Sequence, residues 1–331
     1  MLTNWKTISQ SIKTLKKIEE QLSGTEVDYW FMVHRFNKQK YLQHIESDKN
    51  KLSLSNENDE YQYLRCLYKT LNAESRYTRN ATTFSYFGDQ IRFDVRENFP
   101  LLTTKKMATR SIIHELLFFL RGSTDTKELE KVGVNIWKGN TNRDFLDKNG
   151  HSSKQDGDMG ELYGYQWRHY NGELDQFPEL LNNIKNDPFS RRLLLTVYNP
   201  LQAHSGVLYP CHSLIIQFYV EEITPGFRMI SLQMYQRSAD VFLGLPFNIA
   251  SMALFLHLVA KTVSTDEIEY IPKEVIISLG DVHLYNTHVD QAIEQLRRTP
   301  IKQCQIQILN KRDRLEDYTI EDIKINNYNN V

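Results

Sequence analysis

The sequence predicts an α+β fold in which helices pack on a mixed β-sheet. Strand-like and helix-like segments both occur from Tyr61 onward, but they do not alternate in the regular order of a doubly wound sheet. Apolar residues make up 40% of the 331 residues, which is enough to build a sizeable core. We therefore expect one large domain over 61–331, preceded by an accessory segment and linker over 1–60.

The individual elements follow from apolar periodicity and residue type. Helical spacing predicts helices over 60–71, 109–122, 246–263 and 288–298. Runs rich in β-branched and aromatic residues predict strands over 82–95, 191–200, 213–220, 228–238, 274–280 and 304–309. The first 60 residues are charged and rich in Lys, Asn and Glu, and they end in a polar run, "SDKNKLSLSNENDE", that is typical of a linker.

Composition and charge limit the function. The formal net charge of -1 gives no global reason to bind nucleic acid or a membrane, so an anion site must come from locally gathered arginines. Cys66, Cys211 and Cys304 are far apart and form no CxxC pair, which argues against a disulfide framework and a structural zinc site. No secretory signal or membrane-length apolar stretch is expected. These features predict a cytoplasmic protein without a metal.

The segment "YPCHSLIIQFYV" places Cys211 directly before His212 at the start of an apolar run. A cysteine in this position is a nucleophile, a metal ligand or the first residue of a buried strand. Since no second pair of ligands at metal spacing is present, the metal interpretation is disfavoured. The residues alone leave the other two interpretations open.

Glu115 occupies an unusual position on its predicted helix. Arg110, His114 and Arg121 share one polar stripe, whereas Glu115 lies about 120° away from it, near Phe119. A carboxylate among apolar side chains either pairs with a basic or backbone group, or its pKa rises until it can relay protons near neutral pH. Both interpretations remain open at this point.

Polar residues concentrate where a predicted strand meets the longest predicted helix. The segment "YQRSADVFLGLPFNIA" contains Arg237, Ser238, Asp240, Gly244 and Asn248. An arginine and a serine hydroxyl at such a junction suit a phosphate-bearing ligand. The plainer alternative is that the arginine and the aspartate simply pair.

Two more pairs are candidates for ligand binding. Arg191 and Arg192 are adjacent on a predicted strand, so they can share an anion only at a strand end or across an interface; a solvated pair is the alternative. In "GDVHLYNTH", His283 and Tyr285 are two residues apart and project to one side of an extended chain. Together they offer hydrogen bonds to a sugar hydroxyl.

These segments, with "FPLLTTKKM", "RSIIHELLFFLRG" and "GELYGYQWRHY", resemble the thymidylate synthase family in the same order from about Arg76 to Tyr328. The resemblance implies the thymidylate synthase fold and a homodimer whose sheets face each other. It implies methylation of dUMP to dTMP, with 5,10-methylenetetrahydrofolate as co-substrate and donor of the carbon and the hydride. The N-terminal segment contains no reductase motif, so a fused dihydrofolate reductase is not expected.

The resemblance also implies roles for individual residues. Cys211 matches the nucleophile that adds to C6 of dUMP, and an adjacent arginine would raise its thiolate fraction. The other residues that match catalytic positions are Arg237, Glu115, Tyr163 and Asp240. Asn248 matches the amide that faces uracil, because it offers both a donor and an acceptor.

Further positions match the substrate contacts of the family. The phosphate would be bound by Arg237, Ser238, Arg79, and Arg191 and Arg192 of the second subunit, with Arg76 as the alternative to Arg79. His283 and Tyr285 would hold the deoxyribose 3'-hydroxyl. The folate would face Asn140, Asp240, Gly244 and Phe247.

The chain departs from the family pattern at several places. Gln217 is six residues after Cys211 instead of five, which predicts a β-bulge between Ser213 and Ile216. The loop around Arg79 lacks the usual glycines, and Thr287 stands where asparagine is usual. The chain ends at "NNYNNV", before the apolar tail that closes over folate in the family. A shortened tail makes a deoxyuridylate hydroxymethylase the first alternative, and a dUMP-binding homologue without turnover is the second.

Overall fold

The computed structural model describes residues 58–78 and 81–331, in which helices pack on a six-stranded mixed sheet. This confirms the predicted α+β class with its mixed, helix-covered sheet. Residues 1–57 lie outside the described residues, so the accessory segment and its boundary at residue 60 stay predictions. Glu60 itself is fully buried, and its carboxylate accepts hydrogen bonds from Thr103 and Thr104.

The α-helices of the described residues are α1 (Glu60–Leu71), α2 (Thr109–Leu120), α3 (Lys127–Lys131), α4 (Lys138–Thr141), α5 (Arg143–Lys148), α6 (Gly164–Arg168), α7 (Gln176–Asn186), α8 (Gly244–Val263) and α9 (Val289–Leu296). The strands are β1 (Ser75–Tyr77), β2 (Thr82–Asp94), β3 (Leu194–Thr196), β4 (Ile215–Thr224), β5 (Phe227–Asp240), β6 (Glu269–Tyr285), β7 (Gln305–Ile308) and β8 (Ile323–Asn326). Short 3-10 helices cover Asn286–His288, Leu315–Asp317 and Ile320–Asp322.

The main sheet has the order β1-β2-β6-β5-β4-β3, and β7 pairs with β8 in a separate two-stranded sheet. Among the strand pairs of the described residues, only β5 and β6 run parallel. Its register places Asp240 opposite His283, so the carboxyl ends of both strands lie at the same end of the sheet. The N–H of Ser238 donates to the carbonyl oxygen of Cys211, 3.2 Å away, which brings the chain before β4 to that end of the sheet as well.

Helix α8 is the central helix of the core. It has the length and apolar composition of a membrane span, contrary to the expectation that no stretch would have them. However, 83% of its apolar window is buried inside the protein, where Leu254, Phe255 and Leu256 are fully buried. A helix that is apolar on all sides is expected at the centre of a large core, and this burial accounts for its composition.

The predicted helices and strands mostly match the observed elements, with instructive differences. The expected strand over 191–200 shortens to β3, because Arg191 and Arg192 lie in a turn. The run 304–309 is a strand, but it pairs with β8 outside the main sheet. The sequence reading missed α7, although Asp175 at its N-cap accepts a hydrogen bond from Phe177 N–H.

The extra residue before Gln217 is accommodated at the start of β4. Ser213 has a left-handed backbone with φ 56°. The N–H of Leu214 donates to the carbonyl oxygen of Tyr235, which is also the register partner of Ile215. Leu214 lies in the bend before β4, and the pairing of β4 with β5 is regular from Ile215 to Glu222. The extra residue is therefore absorbed before the strand begins and not in a β-bulge within it, and the irregularity of this strand pair lies between Glu222 and Thr224.

Candidate active site

The Cys211 thiol and the Tyr163 hydroxyl lie next to each other at this end of the sheet. The two atoms are 3.1 Å apart, within hydrogen-bonding distance for sulfur. Cys211 lies just before β4, and Tyr163 is buried at the N-terminus of α6. Burial and the neighbouring Cys211 thiol raise the pKa of Tyr163 well above its usual range, so this hydroxyl keeps its proton at neutral pH.

His212 and the backbone around α6 hold Tyr163 in place. The imidazole of His212 stacks on the phenol ring, with centroids 4.1 Å apart and an angle of 12° between the planes. Burial lowers the pKa of His212 to about 3, so the ring is neutral. Tyr163 has φ 41°, a strained conformation for a side chain of this size. The next residue, Gly164, packs so closely on Phe119 that a Cβ would collide with its carbonyl oxygen.

Arg237, on β5, is the cation that acts on the thiol. Its Nε donates to the carbonyl oxygen of Pro210 at 3.0 Å, which brings the guanidinium next to Cys211. Burial raises the pKa of the Cys211 thiol, whereas the Tyr163 hydroxyl and the Arg237 charge act in the opposite direction. In this state burial outweighs them, so the thiol is more protonated than the sequence led us to expect.

Glu115 projects from α2 toward Trp137, and its carboxylate accepts a 2.8 Å hydrogen bond from the indole N–H. Burial raises the pKa of Glu115 to about 7, and the Trp137 hydrogen bond only partly offsets this effect. The sequence left two possibilities open for Glu115, a paired carboxylate or one with a raised pKa. The structure favours the second, and this pKa suits a group that gives and takes protons near pH 7.

The residues predicted to contact the nucleotide lie at the ends of β5 and β6 and in the first turns of α8. Asn248 is buried there, and Ser238 is near the end of β5. The rings of His283 and Tyr285 are perpendicular, with centroids 5.4 Å apart. Nδ1 of His283 is 3.0 Å from a carboxylate oxygen of Asp281, which orients the imidazole.

Three of the four residues predicted to face folate are Asp240 at the end of β5, Gly244 at the start of α8 and Asn140 in α4. The Oδ1 atom of Asp240 accepts hydrogen bonds from the N–H groups of Phe242 and Leu243, and a Cβ on Gly244 would lie 3.8 Å from the Asp240 Cβ. The described residues give Oδ2 no hydrogen bond, so it is available to a ligand N–H. Asn140 lies in α4, which begins right after Trp137.

The fourth predicted folate residue, Phe247, is partly buried in the first turn of α8 and packs on the core. Lys105, which was not among the residues predicted from the sequence, lies against Phe242, two residues before α8. Its Nζ donates to the Phe242 carbonyl oxygen at 2.6 Å and lies 3.9 Å from the centre of the Phe242 ring. Burial lowers the pKa of Lys105 to about 8, while the Asp240 charge acts against this.

The remaining arginines are not gathered around Cys211 within one chain. Arg191 and Arg192 are exposed in the turn before β3, with no carboxylate in ion-pair contact among residues 58–78 and 81–331. Arg79 lies outside the described residues, so its assignment stays a prediction. Arg76, the alternative, is on β1, with its guanidinium 3.9 Å from the Asp281 carboxylate.

In the part of the chain that is described, neither a cluster of metal ligands nor the cleft described below overlaps this site. That part contains no group of three or more His, Cys, Asp or Glu side chains able to hold a metal ion. A cleft of about 760 Å³ lies at the other end of the same strands and helix, where Phe227, His257 and Ile308 are among its lining residues. None of the predicted site residues lines that cleft.

The fold and the site define an α+β enzyme in which a thiol lies among buried groups that can hold or move a proton. The family model for thymidylate synthase matches residues 61–331, and the chain belongs to the thymidylate synthase family. This confirms the family that the motifs predicted.

Individual relatives agree with the family match. Thymidylate synthase of Herpesvirus ateles is 40% identical over 284 residues, which cover 82% of this chain and 94% of the viral protein. The human thymidylate synthase is 40% identical over 259 residues, covering 75% of this chain and 79% of the human protein. That of Mycoplasma genitalium is 41% identical over 280 residues, covering 79% and 93%.

Proposed function

We propose that this protein methylates dUMP to dTMP, with 5,10-methylenetetrahydrofolate as the donor of the carbon and the hydride, through a covalent bond between Cys211 and C6 of the base. The observation that carries the proposal is the 3.1 Å approach of the Cys211 thiol to the Tyr163 hydroxyl, beside a glutamate whose pKa is about 7. A cysteine that only packed at the start of a buried strand would need neither the Tyr163 hydroxyl nor the Glu115 carboxyl beside it.

The first step requires the thiolate of Cys211. Burial keeps this thiol protonated, and the Arg237 charge and the Tyr163 hydroxyl favour its ionisation. The thiolate forms a bond to C6, and the electron pair of the C5–C6 double bond moves toward C5 and O4. Carbon 5 then becomes the nucleophile that receives the one-carbon unit.

Later steps need a proton taken from C5 and protons exchanged at the base and at the folate. Glu115 suits this exchange because a group with a pKa near 7 is present in both protonation states at neutral pH. The Tyr163 hydroxyl adds a hydrogen-bonding group beside the same thiol. Loss of the C5 proton expels the folate nitrogen and leaves an exocyclic methylene group on C5. Hydride from the tetrahydrofolate adds to this methylene, the C5–C6 double bond forms again, and the thiolate leaves C6, which gives dTMP, dihydrofolate and free Cys211.

Base recognition is assigned to Asn248, which is buried in the first turns of α8. Its side-chain amide presents an acceptor and a donor, as the N3–H and O4 of uracil require. A cytosine base reverses this pattern at N3 and N4, so Asn248 favours dUMP over dCMP.

The family uses a folate co-substrate, which supplies the methylene group and the hydride. We assign its contacts to Asn140, Asp240, Gly244 and Phe247. The free Oδ2 atom of Asp240 supports this assignment, because a carboxylate oxygen can accept a hydrogen bond from a ring N–H.

We also assign a homodimer in which the exposed face of the sheet packs on the same face of a second copy. Large apolar side chains are exposed along this face, at Leu194, Ile215, Tyr219 and Tyr235. A contiguous apolar surface of this kind is typical of a subunit interface. Arg191 and Arg192 precede β3 at the edge of the same face, where they can reach the phosphate of the partner's site. A cytoplasmic location remains part of this proposal on the basis of composition.

The mass of the nucleotide product tests the reaction. The protein is incubated with dUMP and 5,10-methylenetetrahydrofolate, and the nucleotides are analysed by mass spectrometry, with Cys211→Ala as the control. The proposal predicts dTMP from the unchanged chain and none from the variant. A hydroxymethyl nucleotide as the main product would instead support the hydroxymethylase, and binding without product would support a homologue that lacks turnover.

A further inference from the structure

The guanidinium of Arg237 is held from two sides, and both contacts come from the two residues before Cys211. Its Nε donates to the Pro210 carbonyl oxygen at 3.0 Å, and its Cζ lies 5.0 Å from the centre of the Tyr209 ring. In the described part of the chain the terminal nitrogens have no hydrogen-bond or ion-pair partner. The fixed Nε and the ring together set the direction in which these free nitrogens point.

The Tyr209 ring is itself supported by neighbouring aromatic residues. Its hydroxyl lies 2.9 Å from the Tyr198 hydroxyl, and the His204 ring lies 5.1 Å away, centre to centre. Tyr198 is anchored just after β3, because its N–H donates to the Thr196 hydroxyl at 3.1 Å. A chain of contacts therefore runs from the sheet through Tyr198 and Tyr209 to Arg237.

We propose that Tyr209 is a positioning residue for Arg237 and that Tyr198 anchors it. The aromatic face attracts the guanidinium and limits its rotation, so that the free nitrogens are already aligned when an anion arrives. The inference rests on the proposed function in one respect, namely that the anion bound by Arg237 is the phosphate of dUMP. The effect on the Cys211 thiol is independent of that assignment, because the Arg237 charge lowers the thiol pKa in the free protein.

Three variants separate positioning from general disturbance of the loop. Tyr209→Leu removes the ring, whereas Tyr209→Phe keeps the ring but loses the hydrogen bond to the Tyr198 hydroxyl. Leu201→Ala changes an exposed side chain in the same loop. All three should unfold at about the temperature of the unchanged protein, since Tyr209 is 38% exposed. Each is assayed for the rate of Cys211 alkylation by iodoacetamide at several pH values, and for KM and kcat with dUMP.

We expect Tyr209→Leu to raise the KM for dUMP roughly tenfold with little change in kcat. Its alkylation at pH 8 should be about threefold slower, with the pH profile moved upward. Tyr209→Phe should restore most of both properties, and Leu201→Ala should change neither. Slower alkylation in a protein that shows no turnover at all would support the positioning role and refute the proposed function.

Unchanged alkylation and KM in Tyr209→Leu would overturn the inference. Equal losses in Leu201→Ala would overturn it as well, because the effect would then belong to the loop and not to the aromatic ring.

Discussion

The hydroxyl of Tyr163 lies 3.1 Å from the sulfur of Cys211, and the backbone of Tyr163 adopts φ 41° to place it there. Such a backbone conformation costs on the order of 1 to 3 kcal/mol and persists only where the surroundings enforce it. Stacking on His212 and the close packing of Gly164 on Phe119 supply this enforcement. The fold thus accepts local strain in order to present a hydroxyl to the thiol.

Removing this hydroxyl should weaken the nucleophile. In Tyr163→Phe the Cys211 thiol loses a hydrogen bond that lowers its pKa, so less thiolate is present at pH 8. We expect alkylation of Cys211 by iodoacetamide to slow severalfold and turnover of dUMP to fall about 100-fold or more. An alkylation rate equal to that of the unchanged protein would show that the hydroxyl does not influence the thiol.

The buried carboxyl of Glu115 should lower the free energy of unfolding as the pH rises. Burial raises its pKa from the usual 4.5 to about 7, so the folded protein holds a proton that the unfolded chain releases over this interval. The carboxyl therefore costs stability increasingly as the pH rises through that range, about 3 kcal/mol once the range is passed.

Glu115→Gln removes this cost, and it also removes the group that we propose as the proton relay. We expect the variant to gain stability relative to the unchanged protein at pH 8 but not at pH 4.5, and to lose about 100-fold or more in turnover. Urea unfolding at the two pH values measures the first effect. A stability difference that is the same at both pH values would contradict the raised pKa.

Gly164 should be intolerant of any side chain. A Cβ there would collide with the backbone of Phe119, which cannot move aside as a flexible side chain can. We expect Gly164→Ala to cost roughly 1 to 3 kcal/mol of unfolding free energy and to displace Tyr163. Gly139→Ala is the matched control, because its Cβ would meet nothing within 4 Å and it lies in α4. The control should be neutral or slightly stabilising in the same unfolding assay.

The proposed composite dimer site predicts complementation between inactive variants. Cys211→Ala and the double variant Arg191→Ala, Arg192→Ala should each have very little activity alone. After mixing and subunit exchange, half of the dimers contain one of each, and one of their two sites has a complete set of residues. We expect roughly a quarter of the original activity to return. No recovery in a mixture whose exchange is verified by native mass spectrometry would place both arginines outside the partner's site.

The sequence was sufficient for the fold class and for the longest elements. Periodicity placed α1 at its observed bounds, because Tyr63, Leu67 and Leu71 recur on one buried face. The predicted strand over 191–200 was longer than the observed β3, since the adjacent charges of Arg191 and Arg192 are solvated more easily in an exposed turn than in a strand.

The detailed site depended on contacts between residues far apart in the chain. Glu115 was recognisable as misplaced on its helix, but its Trp137 partner is 22 residues away and no pattern joins them. The stacking of His212 on Tyr163 and the position of Lys105 over Phe242 arise only when the elements pack. Local absorption of the extra residue was predictable, but its form was not: the left-handed backbone of Ser213 takes it up before β4 begins, and the register from Ile215 to Glu222 stays regular.

The central claim is that Cys211 bonds to C6 of dUMP, and trapping of that bond tests it most directly. In 5-fluoro-dUMP, a fluorine replaces the hydrogen that is normally removed from C5 as a proton. Fluorine cannot be lost as a cation, so the covalent adduct cannot proceed to product. After incubation with this nucleotide and 5,10-methylenetetrahydrofolate, intact-protein mass spectrometry should show an added mass equal to the nucleotide plus the folate. Peptide mapping should locate it on Cys211, and Cys211→Ser should show no addition. An unmodified Cys211, or an adduct on another residue, would contradict the account.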